Sequence, residues 1–382
     1  MPLLTRPVAV ASLCLVMSGW AGAAQPSFQL PPGFEVEVLA EGLPSARSLV
    51  WGEQGTLFVA TRRDKVIYAV RDALADEPEV RIVATGLKTP NGVAFQDGSL
   101  YVAEPKRILV LSDIESRLDN PPEPEAVVTG LPFKNGLHAW RYIAFGPDGR
   151  LYVNVGAPCN VCDQEGFALI MSMEADGSDQ RIEARGVRNS VGFDWHPDTD
   201  ELWFTDNGRD MLGDEVPPCE LNRLTRTGEH FGFPFCHGGT VPDPKFGKLG
   251  NCDEAVPPVQ QLAPHSAPLG LSFYTGDAFP ERYRGQVFIA EHGSWNRSPE
   301  AGKTGYRVSL VRLDGNRAVS YEPFMEGFLN GDEVLGRPVD VLQAPDGSLL
   351  VSDDERGAIY RVRYSGKQLA ANPRTAGMKH GR

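Results

Sequence analysis

The chain has 382 residues, of which 41% are hydrophobic and 23% charged, the composition of an ordinary globular protein with one large domain. Its 50 acidic residues against 37 lysines and arginines give a net charge of −13 at pH 7. Phosphate binding needs clustered cations, so this balance argues against nucleic acid as a partner.

The N-terminus carries the pattern of a secretory signal. Arg6 precedes an apolar run over 8–17, and small residues follow at 21–24. This order predicts a signal peptide over 1–24, cleaved after Ala23 or Ala24. The run is too short to span a bilayer, so we predict no membrane span and a periplasmic or secreted mature protein.

Six segments of the same build follow, each with a small or polar opening, an apolar strand, a Gly/Asp turn and a second strand. They lie at 47–66, 91–108, 138–156, 188–210, 269–293 and 337–359. Units of about 40 to 50 residues cannot bury an apolar face alone and must stack on their neighbours. The sequence therefore predicts an all-β, six-bladed β-propeller over 25–365.

Apolar segments at the two ends of this region suit ring closure. A strand over 34–40 is predicted to pair with 358–364, which would remove the open sheet edge. The last residues, 366–382, are basic and rich in Gly and Ala, and we expect this tail to be disordered.

Five cysteines follow the signal peptide. Cys159 and Cys162 predict a local disulfide, because no second CxxC or paired His completes a zinc set. Cys236 and Cys252 flank a Gly/Pro-rich stretch and are predicted to form a second disulfide, as an oxidising compartment allows. Cys219 is then left free.

Two long excursions, 211–268 and 293–306, follow strands that come after Gly/Asp turns. The first is read as an insertion between blades four and five. Both are expected on the face that also carries the residues leading into the innermost strands, so function is expected there. Those leading residues are Arg47, Asn91, His138, Arg188, Asn189 and Arg337.

A ring of arginines around one axis has two readings. It suits a polyanionic ligand, since arginine donates bidentate hydrogen bonds to carboxylates. Alternatively, each arginine pairs with an acid of a neighbouring blade, such as Asp340, Asp353, Asp354 or Glu291.

The stretch 203–215 is rich in oxygen donors. Such a Gly-containing loop suits Ca²⁺, or is a solvated acidic turn. Its candidate ligands are Asp206, Asn207, Asp210, Asp214 and Glu215. The chain has no G-x-S-x-G elbow, P-loop or helix-opening G-x-G-x-x-G, which argues against serine hydrolases, NTPases and nicotinamide enzymes.

Several stretches together resemble a known family. They are GLHAWRYIAFGPDGRLYVNVG (136–156), GVRNSVGFDWHP (186–197), LWFTDNGRDMLGDE (202–215), HFGFPFCHGG (230–239), APLGLSFY (267–274) and GRPVDVLQAPDG (336–347). From about residue 30 to 365 the chain resembles the pyrroloquinoline quinone (PQQ)-dependent sugar dehydrogenases, most closely the sorbosone/pyranose dehydrogenase-like branch. The resemblance implies a six-bladed propeller that holds PQQ and Ca²⁺ and oxidises an aldose or a sugar-derived aldehyde.

The resemblance also implies roles for individual residues. His138 matches the general base, and Arg188 and Asn189 match the pair at the reactive carbonyl and on the cofactor. Gly208 and Arg209 match the residues whose backbone carbonyls hold Ca²⁺. The remaining predicted cofactor-binding residues are Arg337, Arg47, His292 and Asn91.

Four positions depart from the glucose dehydrogenases that this family includes. Ala157 stands where those enzymes have Asp, and His292 where they have a cofactor-binding Lys. Val339 replaces a second cofactor arginine, and Asn91 replaces a substrate-contacting Gln. These departures match the sorbosone-like branch better than glucose itself.

Two alternatives stay open from the sequence. One is a Ca²⁺-dependent lactonase-type hydrolase on a similar propeller, which would need carboxylates converging on the metal. The other is a cofactor-free binding module with neutralised arginines. As a dehydrogenase, the protein would need a sugar substrate and an external electron acceptor, either a cytochrome or a quinone carrier.

Overall fold

The computed structural model describes residues 26–366. The predicted signal peptide over 1–24 lies outside the described residues, as does the basic tail beyond Gly366. Within the described range, no helix is long and apolar enough to cross a membrane. Helical structure there is limited to three short 3₁₀ turns, Ile114–Arg117, Cys252–Glu254 and Glu281–Tyr283.

The strands form six antiparallel blades, which confirms the predicted β-propeller. After β1 (Phe34–Glu41), blade 1 contains β2 (Ala46–Trp51), β3 (Leu57–Thr61), β4 (Ile67–Arg71) and β5 (Glu79–Ala84). Blade 2 contains β6 (Gly92–Gln96), β7 (Ser99–Glu104), β8 (Arg107–Leu111) and β9 (Glu125–Thr129). Blade 3 contains β10 (Ile143–Phe145), β11 (Leu151–Val155), β12 (Leu169–Met173) and β13 (Arg181–Arg185).

The second half of the ring repeats this arrangement with longer connections. Blade 4 contains β14 (Phe193–Trp195), β15 (Leu202–Asp206) and β16 (Cys219–Arg223), and its outer strand is β20 (Gln260–Leu262). Between β16 and β20 lie the short strands β17 (Glu229–His230), β18 (Cys236–His237) and β19 (Val241–Pro242). Blade 5 contains β21 (Pro268–Phe273), β22 (Val287–Glu291), β23 (Arg307–Asp314) and β24 (Arg317–Met325).

The last blade closes the ring as predicted. A small hairpin, β25 (Leu329–Asn330) and β26 (Glu333–Val334), leads to β27 (Pro338–Gln343), β28 (Leu349–Asp353) and β29 (Ala358–Tyr364). β1 then pairs antiparallel with β29, from Phe34 opposite Tyr364 to Glu41 opposite Ala358. First strands of neighbouring blades pack together, with β2 against both β6 and β27, so the innermost strands surround a central channel.

The long excursion differs from its prediction in one respect. The range 211–268 is not an insertion between blades, because it contains β16 and β20, the two outer strands of blade 4. The extra residues lie between those strands, and their strand β17 pairs parallel with β13 of blade 3. The sequence could not reveal this, because β20 is only three residues long and its pairing is non-local.

Both predicted disulfides are present. Cys159 is bonded to Cys162, and Cys236 to Cys252. Cys219 is buried and free. Burial raises the pKa of its thiol to about 11, so it remains protonated at neutral pH.

Candidate functional site

A cavity of about 920 Å³ opens at one end of the propeller. It is lined by seven of the nine residues predicted for the site: Arg47, His138, Arg188, Asn189, Gly208, His292 and Arg337. These residues come from five different blades or their connections, which only the ring closure brings together. The excursions contribute to the same wall through His265, Trp295 and Asn296.

The cavity wall is cationic although the chain is acidic. Six arginines and four carboxylates line it, together with three histidines. The arginines are Arg47, Arg62, Arg63, Arg188, Arg337 and Arg356, and the acids are Asp64, Asp210, Asp354 and Glu355. With neutral histidines the wall therefore has an excess of positive charge, which suits an anionic ligand.

His138 is arranged as a neutral proton acceptor. Its backbone has a φ of 58°, in the left-handed region, and its side chain is only 6% exposed. Nδ1 lies 2.7 Å from the carbonyl oxygen of Ala157. A carbonyl only accepts, so Nδ1 carries the proton and Nε2 is left with a free lone pair. Burial, followed by the charge of Arg188, lowers the pKa of His138 to about 3.

Arg188 is held by a dense set of acceptors. Its Nε donates to the carbonyl of Asn160 at 2.8 Å, and Nη2 donates to Asn160 Oδ1 at 3.0 Å and to Asp210 at 3.2 Å. Nη1 donates to the carbonyls of Asn207 and Gly208, each at 3.0 Å. The guanidinium is thus fixed in place, and one of the two carbonyls predicted to hold Ca²⁺ already accepts a hydrogen bond from it.

Asp206 fixes the backbone of the Arg188–Asn189 pair. Its carboxylate accepts hydrogen bonds from the N–H of Arg188 at 2.8 Å and of Asn189 at 2.6 Å. The side-chain oxygen Oδ1 of Asn189 is buried without a hydrogen-bond partner among the residues the structure describes. A buried, unsatisfied acceptor in a cavity wall indicates a missing ligand group, since such atoms are costly to leave unpaired.

Arg47 and His292 share one carboxylate. Arg47 Nη1 lies 2.7 Å from Asp354, and His292 Nε2 donates to the other oxygen of Asp354 at 2.8 Å. Burial alone would raise the pKa of Asp354, but His292 and Arg47 lower it below its usual range. The ion pair between Arg47 and Asp354 confirms, for these two residues, the prediction that ring arginines pair with acids of a neighbouring blade.

The other three acids named as partners for the ring arginines are engaged elsewhere. Asp340 accepts from the N–H of Leu49 at 2.9 Å, and Asp353 from the N–H of Arg337 at 2.9 Å. Glu291 pairs with Arg307. For these three acids, the predicted ion pair with an arginine around the propeller axis is wrong.

Two predicted residues lie away from the cavity wall. Asn91 is 1% exposed; it accepts from Arg47 Nε at 2.6 Å and donates to the carbonyl of Arg141 at 2.9 Å. It therefore supports Arg47 from behind, and its side chain does not reach the cavity. Arg209 directs its side chain to an ion pair with Asp243. The Ca²⁺ roles of the Arg209 and Gly208 carbonyls stay predictions.

The acidic loop 203–215 does not form a side-chain metal site. Asp210 pairs with Arg188, and Asp214 accepts from the N–H of Ser298 at 2.8 Å. Glu215 pairs with Arg297. Across residues 26–366, no group of three or more His, Cys, Asp or Glu side chains converges as metal ligands. The loop instead binds neighbouring segments together.

The sequence analysis does not identify Arg62 and Trp140 as site residues, but the structure places both in the cavity wall. The guanidinium of Arg62 lies 4.7 Å from the centroid of the Trp140 ring. Within the described residues Arg62 has no hydrogen bond or ion pair, and Trp140 Nε1 is buried without a partner. Burial, then the charge of Arg47, lowers the pKa of Arg62 to about 10, so it stays protonated at neutral pH.

The position of Arg62 within its repeat could have predicted its place in the cavity wall. The residue directly after the second strand of a blade lines the cavity in four blades. The four residues are Arg62, Asn207, His292 and Asp354. The positions that lead into the first strands are therefore one part of the cavity wall. The residues that directly follow the second strands form another part.

Comparison with known proteins decides the family. The model of the TrAA12-like family matches residues 28–365, nearly all of the described chain. The chain belongs to the TrAA12-like family. A curated relative of this TrAA12-like chain, an uncharacterised protein of Borreliella burgdorferi, is 42% identical over 60% of the chain and 61% of the relative.

Two further matches are to proteins of named activity. A PQQ-dependent pyranose dehydrogenase of Coprinopsis cinerea is 28% identical over 28% of this chain and 16% of its own length. The holo form of the PQQ domain of a Coprinopsis cinerea pyranose dehydrogenase superposes with a TM-score of 0.72 at 20% identity, covering 90% of this chain and 99% of that domain. The TrAA12-like chain thus shares its fold with that domain, but spans less than two thirds of either curated relative's length.

Proposed function

We propose that this TrAA12-like chain is an exported PQQ-dependent dehydrogenase that oxidises an aldose or a sugar-derived aldehyde of the sorbosone type. The observation that carries the proposal is one cavity that combines a cationic wall with the unprotonated Nε2 of a buried histidine, His138. Its volume of about 920 Å³ is at the upper end of small-molecule sites, which run from about 300 to 1,000 Å³. That volume suits a cofactor and a sugar together.

The residues present fit a planar tricarboxylate. Arg62 and Arg337 line the cavity, and Arg47 and His292 lie there around Asp354. The Arg337 guanidinium lies over the Tyr306 ring and 3.8 Å from Glu355. The unpaired Oδ1 of Asn189 only accepts hydrogen bonds, so it would take an N–H donor of the cofactor and not one of its carboxylates. Arginine binds carboxylates in a bidentate way, so these side chains would hold the acid groups of PQQ.

When bound, PQQ would supply the two-electron acceptor, and Ca²⁺ on the carbonyls of Gly208 and Arg209 would supply Lewis-acid polarisation. The chain itself supplies proton transfer and placement. His138 Nε2 would accept the proton of the anomeric hydroxyl as hydride leaves C1 of the sugar. Arg188, fixed by five hydrogen bonds to its side chain, would keep positive charge beside the reacting centre.

The electrons would leave to an external acceptor, a cytochrome or a quinone carrier. Two disulfides in the described chain accord with export to an oxidising compartment, periplasmic or extracellular. Among the alternatives, a lactonase-type metal site is disfavoured, because no carboxylate cluster for a metal occurs in residues 26–366.

One observation favours the binding module as a second candidate. The ion pairs of Arg47 with Asp354 and of Arg188 with Asp210 neutralise part of the arginine ring. Such a module would bind an anionic ligand without turning it over.

The test is reconstitution of the purified mature protein with PQQ, with and without Ca²⁺, followed by dye-linked oxidation of aldoses, sorbosone and simple aldehydes. We expect sugar-dependent dye reduction only when both PQQ and Ca²⁺ are supplied. Binding of PQQ without turnover of any substrate would favour the binding module. Absence of both binding and turnover would overturn the proposal.

A further inference from the structure

The Cys159–Cys162 disulfide closes a small loop in the wall of the site. The loop, residues 156–162, directly follows β11 of blade 3 and has no regular secondary structure. The loop contacts both His138 and Arg188. The resemblance assigned no role to this segment beyond the replacement of Asp by Ala157.

The first half of the loop orients His138. The carbonyl of Ala157 accepts from His138 Nδ1 at 2.7 Å, and the N–H of Ala157 donates to the Arg188 carbonyl at 2.8 Å. Gly156 allows the approach, since a Cβ there would lie 2.6 Å from the His138 Cβ. One peptide segment therefore ties the backbone of Arg188 to the ring of His138.

The second half of the loop holds the Arg188 side chain. Asn160 accepts from it twice, through its carbonyl at 2.8 Å and its Oδ1 at 3.0 Å. The same Oδ1 accepts from the N–H of Asp210 at 2.8 Å, and Asn160 Nδ2 donates to the Asp210 carbonyl at 3.0 Å. Asn160 thus fixes both Arg188 and its carboxylate partner.

A segment without sheet hydrogen bonds needs another constraint to hold such contacts. The disulfide supplies it, because it joins the residues on either side of Asn160–Val161 and restricts the backbone between them. We propose that the Cys159–Cys162 loop is the positioning element of the site, with Asn160 as the positioning residue for Arg188 and the Ala157 carbonyl as the orienting group for His138.

This inference rests on the proposed function for its catalytic consequence, but its structural content is independent of turnover. In the glucose dehydrogenases an Asp stands at the position of Ala157; here a backbone carbonyl, held in place by the disulfide, orients the imidazole. The loop therefore links the proton acceptor and the adjacent cation: Ala157, two residues before the disulfide ring, contacts His138, and Asn160, inside the ring, holds Arg188.

The test compares Asn160→Ala and the double variant Cys159→Ser/Cys162→Ser with Val161→Ala. The control residue lies in the same ring, but its side chain has no polar atom to offer Arg188. Misplacement of a reacting group by about 1 Å costs about 10²-fold in rate. We expect kcat/KM of the reconstituted enzyme to fall about 10²-fold in both loop variants, by the same argument, and to stay near wild type in Val161→Ala.

A readout that does not depend on activity separates this inference from the proposed function. ¹⁵N NMR of selectively labelled histidines should show His138 as the Nδ1–H tautomer in wild type and in Val161→Ala. The double variant, if the loop orients the ring, should show mixed tautomers. An unchanged tautomer in the double variant, or unchanged kcat/KM in Asn160→Ala, would overturn the inference. Altered tautomers in a protein without quinone-dependent turnover would support the loop's role and contradict only the proposed function.

Discussion

At the scale of single residues, the chemistry of the site depends on how His138 is surrounded. Burial and the Arg188 charge lower its pKa to about 3, while the Ala157 carbonyl fixes the proton on Nδ1. A histidine whose pKa lies that low is neutral, and able to accept a proton, at every pH above about 4. The environment thus keeps Nε2 unprotonated without a neighbouring carboxylate, and the lowered pKa also makes the imidazole a weaker base than an ordinary histidine.

This environment predicts the pH dependence. The active form of His138 is the neutral one, so activity is lost only when the pH falls toward its pKa of about 3. We expect kcat/KM of the reconstituted enzyme to show no inflection from His138 between about pH 5 and 8. An acid limb that disappears in His138→Gln, with its midpoint near the ordinary histidine value of about 6.5, would contradict the lowered pKa of His138.

Removal of the imidazole tests its role directly. His138→Ala should lower kcat by about 10² to 10⁴-fold, the usual contribution of a general base. PQQ affinity, measured by quenching of tryptophan fluorescence, should stay close to wild type, because the imidazole is not among the proposed carboxylate ligands. Retained turnover in His138→Ala would remove His138 as the base.

Arg62 is the residue whose role the structure adds to the site. It has no acidic partner in the described chain and lies over Trp140, so its donors are available to a ligand. Arg62→Gln should weaken PQQ binding about tenfold or more, the loss typical of a hydrogen bond to a charged group. Arg226→Gln is the control, because its side chain is 83% exposed and is not among those that line the cavity. Equal affinities in both variants would exclude Arg62 from the cofactor site.

At this scale the sequence identified types of residue better than their orientation. The leading position of each repeat correctly brought Arg47, His138 and Arg188 to one cavity. It could not show that Asn91 lies behind Arg47, because both occupy the same repeat position and only packing decides which side chain faces inward. It named Asp354 among four possible partners of the ring arginines, but it could not select this acid for Arg47, which is 307 residues away along the chain.

At the scale of elements, the repeat pattern predicted most strands because their burial follows directly from it. Five second strands, β3, β11, β15, β22 and β28, are buried along their whole length, and each begins with three or four apolar residues. Short outer strands such as β20 and β17 have no such signal. Their positions depend on pairing partners from β16 and β13, which the local sequence does not specify.

Ring closure is the element-level feature most open to test. Phe34 of β1 is 1% exposed and packs edge-on against Phe279, Tyr283 and Phe324 of blade 5. Phe34→Ala should therefore lower the free energy of unfolding in urea by about 3–5 kcal/mol, the usual cost of such a truncation.

The same strand provides the control. Val38 is 54% exposed, and Val38→Ala should change the free energy of unfolding by less than about 0.5 kcal/mol. If the two variants unfold at the same urea concentration, β1 does not secure the last blade in the way its contacts indicate.

At the scale of the whole molecule, charge is distributed unevenly. The chain carries a net −13, whereas arginines outnumber carboxylates in the cavity wall by six to four. A local cationic field inside an acidic protein concentrates anionic ligands in the cavity, and its outer surface favours a basic partner. This arrangement accords with an anionic cofactor inside and a separate electron carrier outside.

The activity proposed for this cavity is oxidation of a sugar at C1, with PQQ as the hydride acceptor. The most direct measurement is the rate of dye reduction by the PQQ- and Ca²⁺-reconstituted protein with an aldose deuterated at C1, compared with the unlabelled sugar. We expect PQQ-dependent turnover that is slower with the deuterated sugar at saturating dye, and lost in His138→Ala. Absence of turnover with every aldose and aldehyde, although PQQ binds, would contradict it.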